Sequence, residues 1–174
     1  MKSYFSSLIS HFSFQRGFTL IELMVVLSIT AVLGTLGIAG FVSYNQNQVL
    51  QSSTSEVVTM LNLAKSRAQS QIKPSEYCKA GINDSLSGYN VVISVQRKYE
   101  LKLRCSGAGE AGETVIIGQD KLLPTSLHFK DSISFFFPVQ TGGVKEQGQF
   151  DIVSNSDGKT KTIKINSLGG VSVE

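Results

Sequence analysis

Residues 16–23 read RGFTLIEL and begin a stretch, residues 18–44, in which Glu22 is the one charged residue. As a helix rising about 1.5 Å per residue, this stretch would span roughly 40 Å. That is enough to cross a hydrocarbon core of about 30 Å. A charged side chain inside that core costs about 2.5–3.5 kcal/mol. The stretch therefore predicts a membrane-spanning helix in which Glu22 has a specific partner.

Two other kinds of apolar N-terminal segment are alternatives. A cleaved secretory signal has an apolar region of about 7–15 residues that ends at a small-x-small site. This run is longer, and no Ala-x-Ala triplet lies near its end. A plain uncleaved anchor stays open. Lys2 and Arg16 precede the apolar run, and the first charged residue after the run is Glu56. The positive-inside rule therefore places residues 1–17 in the cytoplasm and the globular part outside.

The helical pattern continues beyond the apolar run. Five apolar residues recur at spacings of seven, four, three and four and form one stripe of period 3.6, namely Leu50, Val57, Leu61, Ala64 and Ala68. Pro74 ends this pattern, because the residue before a proline resists the helical conformation. We therefore expect one helix from residue 18 to about residue 71, with a transmembrane half and an amphipathic half.

After Pro74 the apolar period changes to two, which is typical of strands. Strands are expected at residues 91–95 and 99–103, joined by a turn at 96–98, and then at residues 114–117, 132–137, 149–153, 160–165 and 171–173. One long helix followed only by strands predicts an α+β fold with the helix packed on antiparallel β-sheet. Residues 45–174 are expected to form one globular domain.

The octapeptide at positions 16–23 resembles the processing site of type IV prepilins and type II secretion pseudopilins. The strand-rich tail, residues 162–173, is similar in style to H-type minor pseudopilins and FimT-like minor pilins. The resemblance implies that residues 1–17 are a leader, cut after Gly17 by a membrane-bound prepilin peptidase that then methylates the amine of Phe18. It also implies assembly with other pilin or pseudopilin subunits on an inner-membrane assembly platform.

The function implied is therefore that of a structural subunit in a type IV pilus or a type II secretion pseudopilus. A DNA-binding minor pilin for natural transformation is the alternative. Net charge does not favour a polyanionic partner: the chain carries +3, and removing Lys2 and Arg16 from its 16 basic residues leaves 14 against 13 acidic ones.

Glu22 becomes the fifth residue of the mature chain in this resemblance. Cleavage would leave a positive amine on a helix in lipid, and the Glu22 carboxylate of a neighbouring subunit would neutralise it. Such a pair recovers much of the desolvation cost of both charges. We expect Glu22 to set the axial register between subunits. A glutamate that merely reaches the lipid headgroups is the alternative.

Cys78 and Cys105 are the two cysteines of the chain, and both fall outside the membrane in this topology. An oxidising compartment favours a disulfide between them. It would close a loop of about 28 residues, worth roughly 3.5 kcal/mol in the chain-entropy model. Two free thiols are the alternative, whereas a metal pair lacks the further cysteine or histidine ligands that a tetrahedral site needs.

Three other patterns predict no chemistry. Residues 107–112 fit G-x-G-x-x-G, but an expected strand follows where a nucleotide site needs a helix. His11 and His128 have no partners for a nucleophilic triad or a zinc site. Asp151, Asn155 and Asp157 match no calcium-loop spacing. We expect no catalytic residue, metal or cofactor.

Lys98, Lys102 and Arg104 share one face of a predicted strand, because strand residues alternate between two faces. Phosphate contacts need such clusters. These three residues are therefore the candidate DNA contacts of the alternative function, and a solvated strand face is the competing interpretation.

Overall fold

The computed structural model describes residues 17–74, 78, 85–106, 114–116 and 120–174. Its secondary structure is one long helix followed by short strands: α1 (Leu20–Gln69), β1 (Ser85–Ile93), β2 (Lys98–Ser106), β3 (Thr114–Ile116), β4 (Lys121–Leu122), β5 (Leu127–Phe129), β6 (Ile133–Pro138), β7 (Gly148–Ser154), β8 (Thr160–Ile165) and β9 (Val171–Val173). The expected α+β architecture is confirmed.

Helix α1 ends before the proline that was expected to end it. Gln71 has a left-handed backbone conformation, with φ of 50°. The N–H of Ile72 donates to the carbonyl oxygen of Arg67 at 3.1 Å, and the N–H of Gln71 donates to that of Ala68 at 3.3 Å. This is the Schellman pattern, which satisfies the last carbonyls of a helix. The left-handed residue, rather than Pro74, therefore ends the helix.

The amphipathic half of α1 packs on the sheets through the predicted stripe. The five stripe residues are all buried: Leu50, Val57, Leu61, Ala64 and Ala68. Leu63, outside the stripe, is 41% exposed. Two tyrosines of the sheet also reach the helix and the segment after it. The hydroxyl of Tyr99 donates to Glu56 Oε2 at 3.1 Å, and that of Tyr89 donates to the carbonyl oxygen of Ile72.

The strands form two antiparallel sheets. The first has the order β3-β2-β1-β6, with β4 also paired to β2, and the second has the order β5-β7-β8-β9. In the first sheet, Val91 of β1 lies opposite Leu101 of β2 and Phe135 of β6. Strands β4 and β5 were not expected from the sequence.

The β1–β2 hairpin forms as predicted but with different bounds. β1 ends at Ile93, and Val95, which was expected in the strand, lies in the turn and is 48% exposed. The reason is that the Ser94 N–H donates to the carbonyl oxygen of Lys98 at 2.9 Å, which closes the turn. Arg97 takes the left-handed position of this turn, with φ of 67°.

Aromatic side chains join the two sheets in the core. Tyr99 of the first sheet contacts Phe129 of the second with ring centroids 6.0 Å apart, and Phe129 contacts Phe150 at the same distance. Phe135 of the first sheet lies 5.8 Å from Phe150. The edge-on contacts of Phe129 with Tyr99 and Phe150 contribute about 0.5–1.5 kcal/mol each beyond the area they bury.

The chain divides into two compact units, Met1–Val42 and Ser43–Glu174. The second unit contains all the strands of the described residues and every residue of the buried core. The three segments expected from the sequence, with boundaries at residues 17 and 44, stay predictions.

Candidate functional site

Helix α1 begins with a capping arrangement inside the RGFTLIEL stretch. The N–H of Glu22 donates to the side-chain oxygen of Thr19 at 3.2 Å, and the N–H of Leu23 donates to the carbonyl oxygen of Thr19 at 3.1 Å. Thr-x-x-Glu is the spacing of a capping box. Glu22 therefore lies in the first turn, where the helix dipole favours a carboxylate.

Gly17 and Phe18 precede the helix, and both are exposed. The side chain of Phe18 is 78% exposed. A Cβ atom added to Gly17 would meet no atom within 4 Å. The bond between these residues is accessible, and packing within the described chain does not require a glycine at position 17.

The first half of α1 exposes apolar side chains on all sides. From Phe18 to Tyr44, the exposed large apolar side chains are between 49% and 78% accessible. A helix that is apolar all round requires a lipid or protein environment. Among the described residues, α1 is the one helix whose length and composition fit a membrane span, a test that signal sequences and buried core helices also pass.

Glu22 is the carboxylate within this apolar half. It is exposed, and it makes no ion pair with any residue that the structure describes. Its backbone N–H donates to Thr19, and the role of its carboxylate between subunits stays a prediction.

Cys78 and Cys105 form a disulfide, with their Cα atoms 5.5 Å apart. Cys105 lies in β2 and is fully buried, and Cys78 is 5% exposed. The bond ties the segment that follows α1 to the end of β2, an inner strand of the first sheet. Neither sulfur is therefore available as a nucleophile or a metal ligand.

The three basic residues proposed for DNA contact lie on the outer face of β2, but an acid lies among them. Lys98, Lys102 and Arg104 are partly buried and alternate with buried residues of the core. Glu100 has the same parity and lies between the two lysines. Glu100 was not predicted as a member of this face, although its parity places it there. The DNA contact stays a prediction.

The carboxylate of Glu100 pairs with both lysines. Lys102 Nζ lies 2.5 Å from Glu100 Oε1, and Lys98 Nζ lies 3.1 Å from Glu100 Oε2. Lys98 Nζ also lies 2.8 Å from Asp120 Oδ2. The hydrogen bond between Lys98 and Asp120, and then the contact of Lys98 with Glu100, raise the pKa of Lys98. The hydrogen bond from Lys98 lowers the pKa of Asp120.

Arg104 packs beside this network on an aromatic ring. Its guanidinium carbon lies 5.6 Å from the centroid of Phe136 on β6. The Phe136 ring lies over Gly88 of β1, where an added Cβ would come within 2.8 Å of a ring carbon. Glycine at position 88 therefore gives the ring the space from which it contacts Arg104.

His128 and Asn155 contact each other, with Nδ1 and Oδ1 2.5 Å apart. The side-chain nitrogen of Asn155 donates to the carbonyl oxygen of Thr125 at 2.9 Å. Both ends of this amide are therefore occupied by protein partners, which indicates a structural role in the β7–β8 turn.

Asp151 and Asp157 also have protein partners. Asp151 Oδ1 accepts a hydrogen bond of 2.7 Å from Thr162, and Asp157 Oδ2 pairs with Lys159 at 3.0 Å. Hydrogen bonds from Ser154 and Lys159 lower the pKa of Asp157 to about 2. In the described part of the chain, no three residues of the types His, Cys, Asp and Glu gather as a metal site would need. The glycine motif at 107–112 and His11 lie outside the described residues.

Comparison with known proteins identifies the N-terminal segment. A family model described as the prokaryotic N-terminal methylation motif matches residues 13–38. No curated protein and no solved structure matches the chain. The matched residues include the exposed Gly17–Phe18 bond, the capping arrangement and the carboxylate of Glu22.

Proposed function

The chain carries the prokaryotic N-terminal methylation motif, which is characteristic of type IV pilins and pseudopilins, and we propose that it is a minor pilin or pseudopilin. It would serve as a structural subunit of a type IV pilus or of a type II secretion pseudopilus. Proteins with this motif are structural subunits rather than enzymes, and this subunit would itself be the substrate of prepilin peptidase.

The observation that carries the proposal is where the motif lies on the fold. Residues 13–38 cover an accessible Gly17–Phe18 bond, the start of α1 at Thr19 and the carboxylate of Glu22. A peptidase needs an accessible backbone at the bond it cuts, and the helix begins only after that bond. Cleavage there would leave Phe18 as the new N-terminus, one helical turn before Glu22.

Electrostatics in an apolar environment give Glu22 its proposed role. The Phe18 amine and the Glu22 carboxylate are each costly to bury alone, and a pair with good geometry recovers much of that cost. The lack of an ion pair to Glu22 within the described chain supports a partner in another subunit. Pairing with the amine of the neighbouring subunit would fix the axial register of the filament.

The proposed location follows from charge and redox chemistry. The chain would cross the inner membrane once, with residues 1–17 in the cytoplasm and the strand-rich domain outside. Lys2 and Arg16 before the apolar helix support this orientation. So does the disulfide between Cys78 and Cys105, because disulfides persist in oxidising compartments.

Co-expression with prepilin peptidase tests the proposal. The wild-type chain is expected to lose its first 17 residues only when the peptidase is present. A Gly17→Leu variant should stay uncut, because the peptidase rather than the subunit requires the glycine. Gly40→Ala is the matched control, since an added Cβ also meets no atom within 4 Å there. Equal processing of wild type and Gly17→Leu would contradict the assignment.

A further inference from the structure

We propose that Glu100 is an internal counterion that closes the outer face of β2 to nucleic-acid phosphates, so that loss of its charge opens an anion-binding site at Lys98 and Lys102. This face belongs to the unit Ser43–Glu174 and lies outside the N-terminal motif at residues 13–38. In the wild-type chain, Lys98 and Lys102 lie on this face, but neighbouring carboxylates neutralise their charge, so the face does not attract phosphates.

The position of Glu100 holds its carboxylate in place. The residue is 7% exposed, although it belongs to the outer face of the sheet. Its strand is paired to β1, with Glu100 opposite Val92. A carboxylate with so little access to water cannot turn away from its neighbours without losing their compensating charge.

The two lysines converge on this carboxylate, one on each oxygen, at 2.5 Å for Lys102 and 3.1 Å for Lys98. Ammonium groups also gather around the oxygens of a bound phosphate. The Glu100 carboxylate thus occupies the place that a phosphate oxygen pair would take.

The local charges cancel. Lys98 also contacts Asp120 at 2.8 Å, so the network contains two positive and two negative groups. Nucleic acid binds basic surfaces by exchanging condensed counterions for protein charges, which a neutral network does not offer. Removing the charge of Glu100 leaves the network with a net charge of +1 and leaves Lys102 without its carboxylate.

Stability alone is a weak reason for this arrangement. Burying a carboxylate is costly, and a buried ion pair does little more than offset that cost. Among the described residues, Glu100 Oε2 has no hydrogen bond in good geometry, so its contact with Lys98 is mainly electrostatic. An apolar residue here would serve packing as well, whereas only an acid neutralises both lysines.

Binding of a labelled duplex DNA fragment to the full chain in detergent tests the proposal. Glu100→Gln should bind at least about tenfold more tightly than wild type at low salt. The slope of log Kd against log salt should steepen by about 0.9, because Lys102 gains a phosphate contact while Lys98 stays paired with Asp120. Adding Lys98→Gln and Lys102→Gln to Glu100→Gln should return binding to the wild-type level.

Two further variants separate this effect from net charge and from misfolding. Glu146→Gln makes the same change of charge at an exposed position outside the network and should bind like wild type. Asp120→Asn changes an exposed partner of Lys98, so it should fold normally and give a smaller gain of about two- to threefold. The proposal is overturned if neither Glu100→Gln nor Asp120→Asn exceeds Glu146→Gln. It is also overturned if wild type binds DNA tightly through the two lysines.

Discussion

The backbone N–H of Glu22 donates a hydrogen bond of 3.2 Å to the side-chain oxygen of Thr19 at the start of α1. The two residues therefore share a capping arrangement, and Glu22 has a local role in starting the helix as well as the proposed role between subunits. Variants of these two residues can separate the roles.

Glu22→Gln removes the charge and keeps a side chain that suits the capping position. We expect normal cleavage after Gly17, because the cut bond is not touched. Incorporation into filaments should fall at least about tenfold, which corresponds to the loss of roughly 1.4 kcal/mol of pairing. Immunoblotting of the sheared filament fraction measures this.

Thr19→Ala is the matched control, since it removes the cap, worth about 1 kcal/mol, and keeps the carboxylate. It should assemble nearly as wild type does. Equal loss of assembly in Thr19→Ala and Glu22→Gln would show that helix capping, rather than charge, explains the effect of position 22.

Leu61 and Leu63 offer a matched pair for the packing of α1 on the sheets. Leu61 is fully buried, whereas Leu63 is 41% exposed. Leu61→Ala should lower the free energy of unfolding by about 2–5 kcal/mol, because it leaves a cavity in the core. Leu63→Ala should cost less than about 1 kcal/mol. Urea unfolding of the fragment 43–174, followed by circular dichroism, measures both, and similar costs would refute the assigned helix face.

The Cys78–Cys105 disulfide should stabilise the globular unit by restricting its unfolded chain. Replacing both cysteines by serine should lower the free energy of unfolding by roughly 3.5 kcal/mol in the chain-entropy model, with a further cost because both positions are buried. A reducing agent should lower the melting temperature of the wild-type protein and leave that of the double variant unchanged. An unchanged wild-type melting temperature after verified reduction would contradict this.

Tyr99 should make the globular unit sensitive to alkaline pH. Burial, and then the hydrogen bond to Glu56, raise the pKa of Tyr99. The unfolded tyrosine ionises near pH 10, so above that pH the unfolded state binds fewer protons than the folded state. Stability from this group is therefore full below about pH 10 and falls by about 1.4 kcal/mol per pH unit above it.

Tyr99→Phe keeps the ring and removes the ionising group. Its stability should be lower than that of wild type by about 1 kcal/mol at pH 7, because the hydrogen bond to Glu56 is lost. It should also fall less steeply above pH 10. Identical slopes for the two proteins in urea titrations between pH 9 and 11 would exclude Tyr99 as the source of the alkaline loss.

The sequence predicted those parts of the fold that depend on periodicity. Helix α1 has a stripe of five apolar residues between Leu50 and Ala68, and the strands of the β1–β2 hairpin alternate on either side of one turn. Strands β4 and β5 have two and three residues, and they join sheets through partners distant in sequence. Gln71 ends the helix through its backbone conformation, which no residue type at that position signals.

The candidate sites divide in the same way. The motif around Gly17 and Glu22 is readable from the sequence because it is a local segment. The environment of Lys98 and Lys102 cannot be read from a local segment, because it depends on Asp120, which the pairing of β4 with β2 brings next to Lys98. Glu100 differs from Asp120, because strand alternation alone places it on the same face as the two lysines.

Intact-mass analysis of the chain from cells that contain prepilin peptidase tests the central claim most directly. The account predicts a polypeptide that begins at Phe18 and is heavier than residues 18–174 by one methyl group, with tandem fragmentation placing that group on the amine of Phe18. A chain that keeps residues 1–17, or that is cut at another bond, would contradict it.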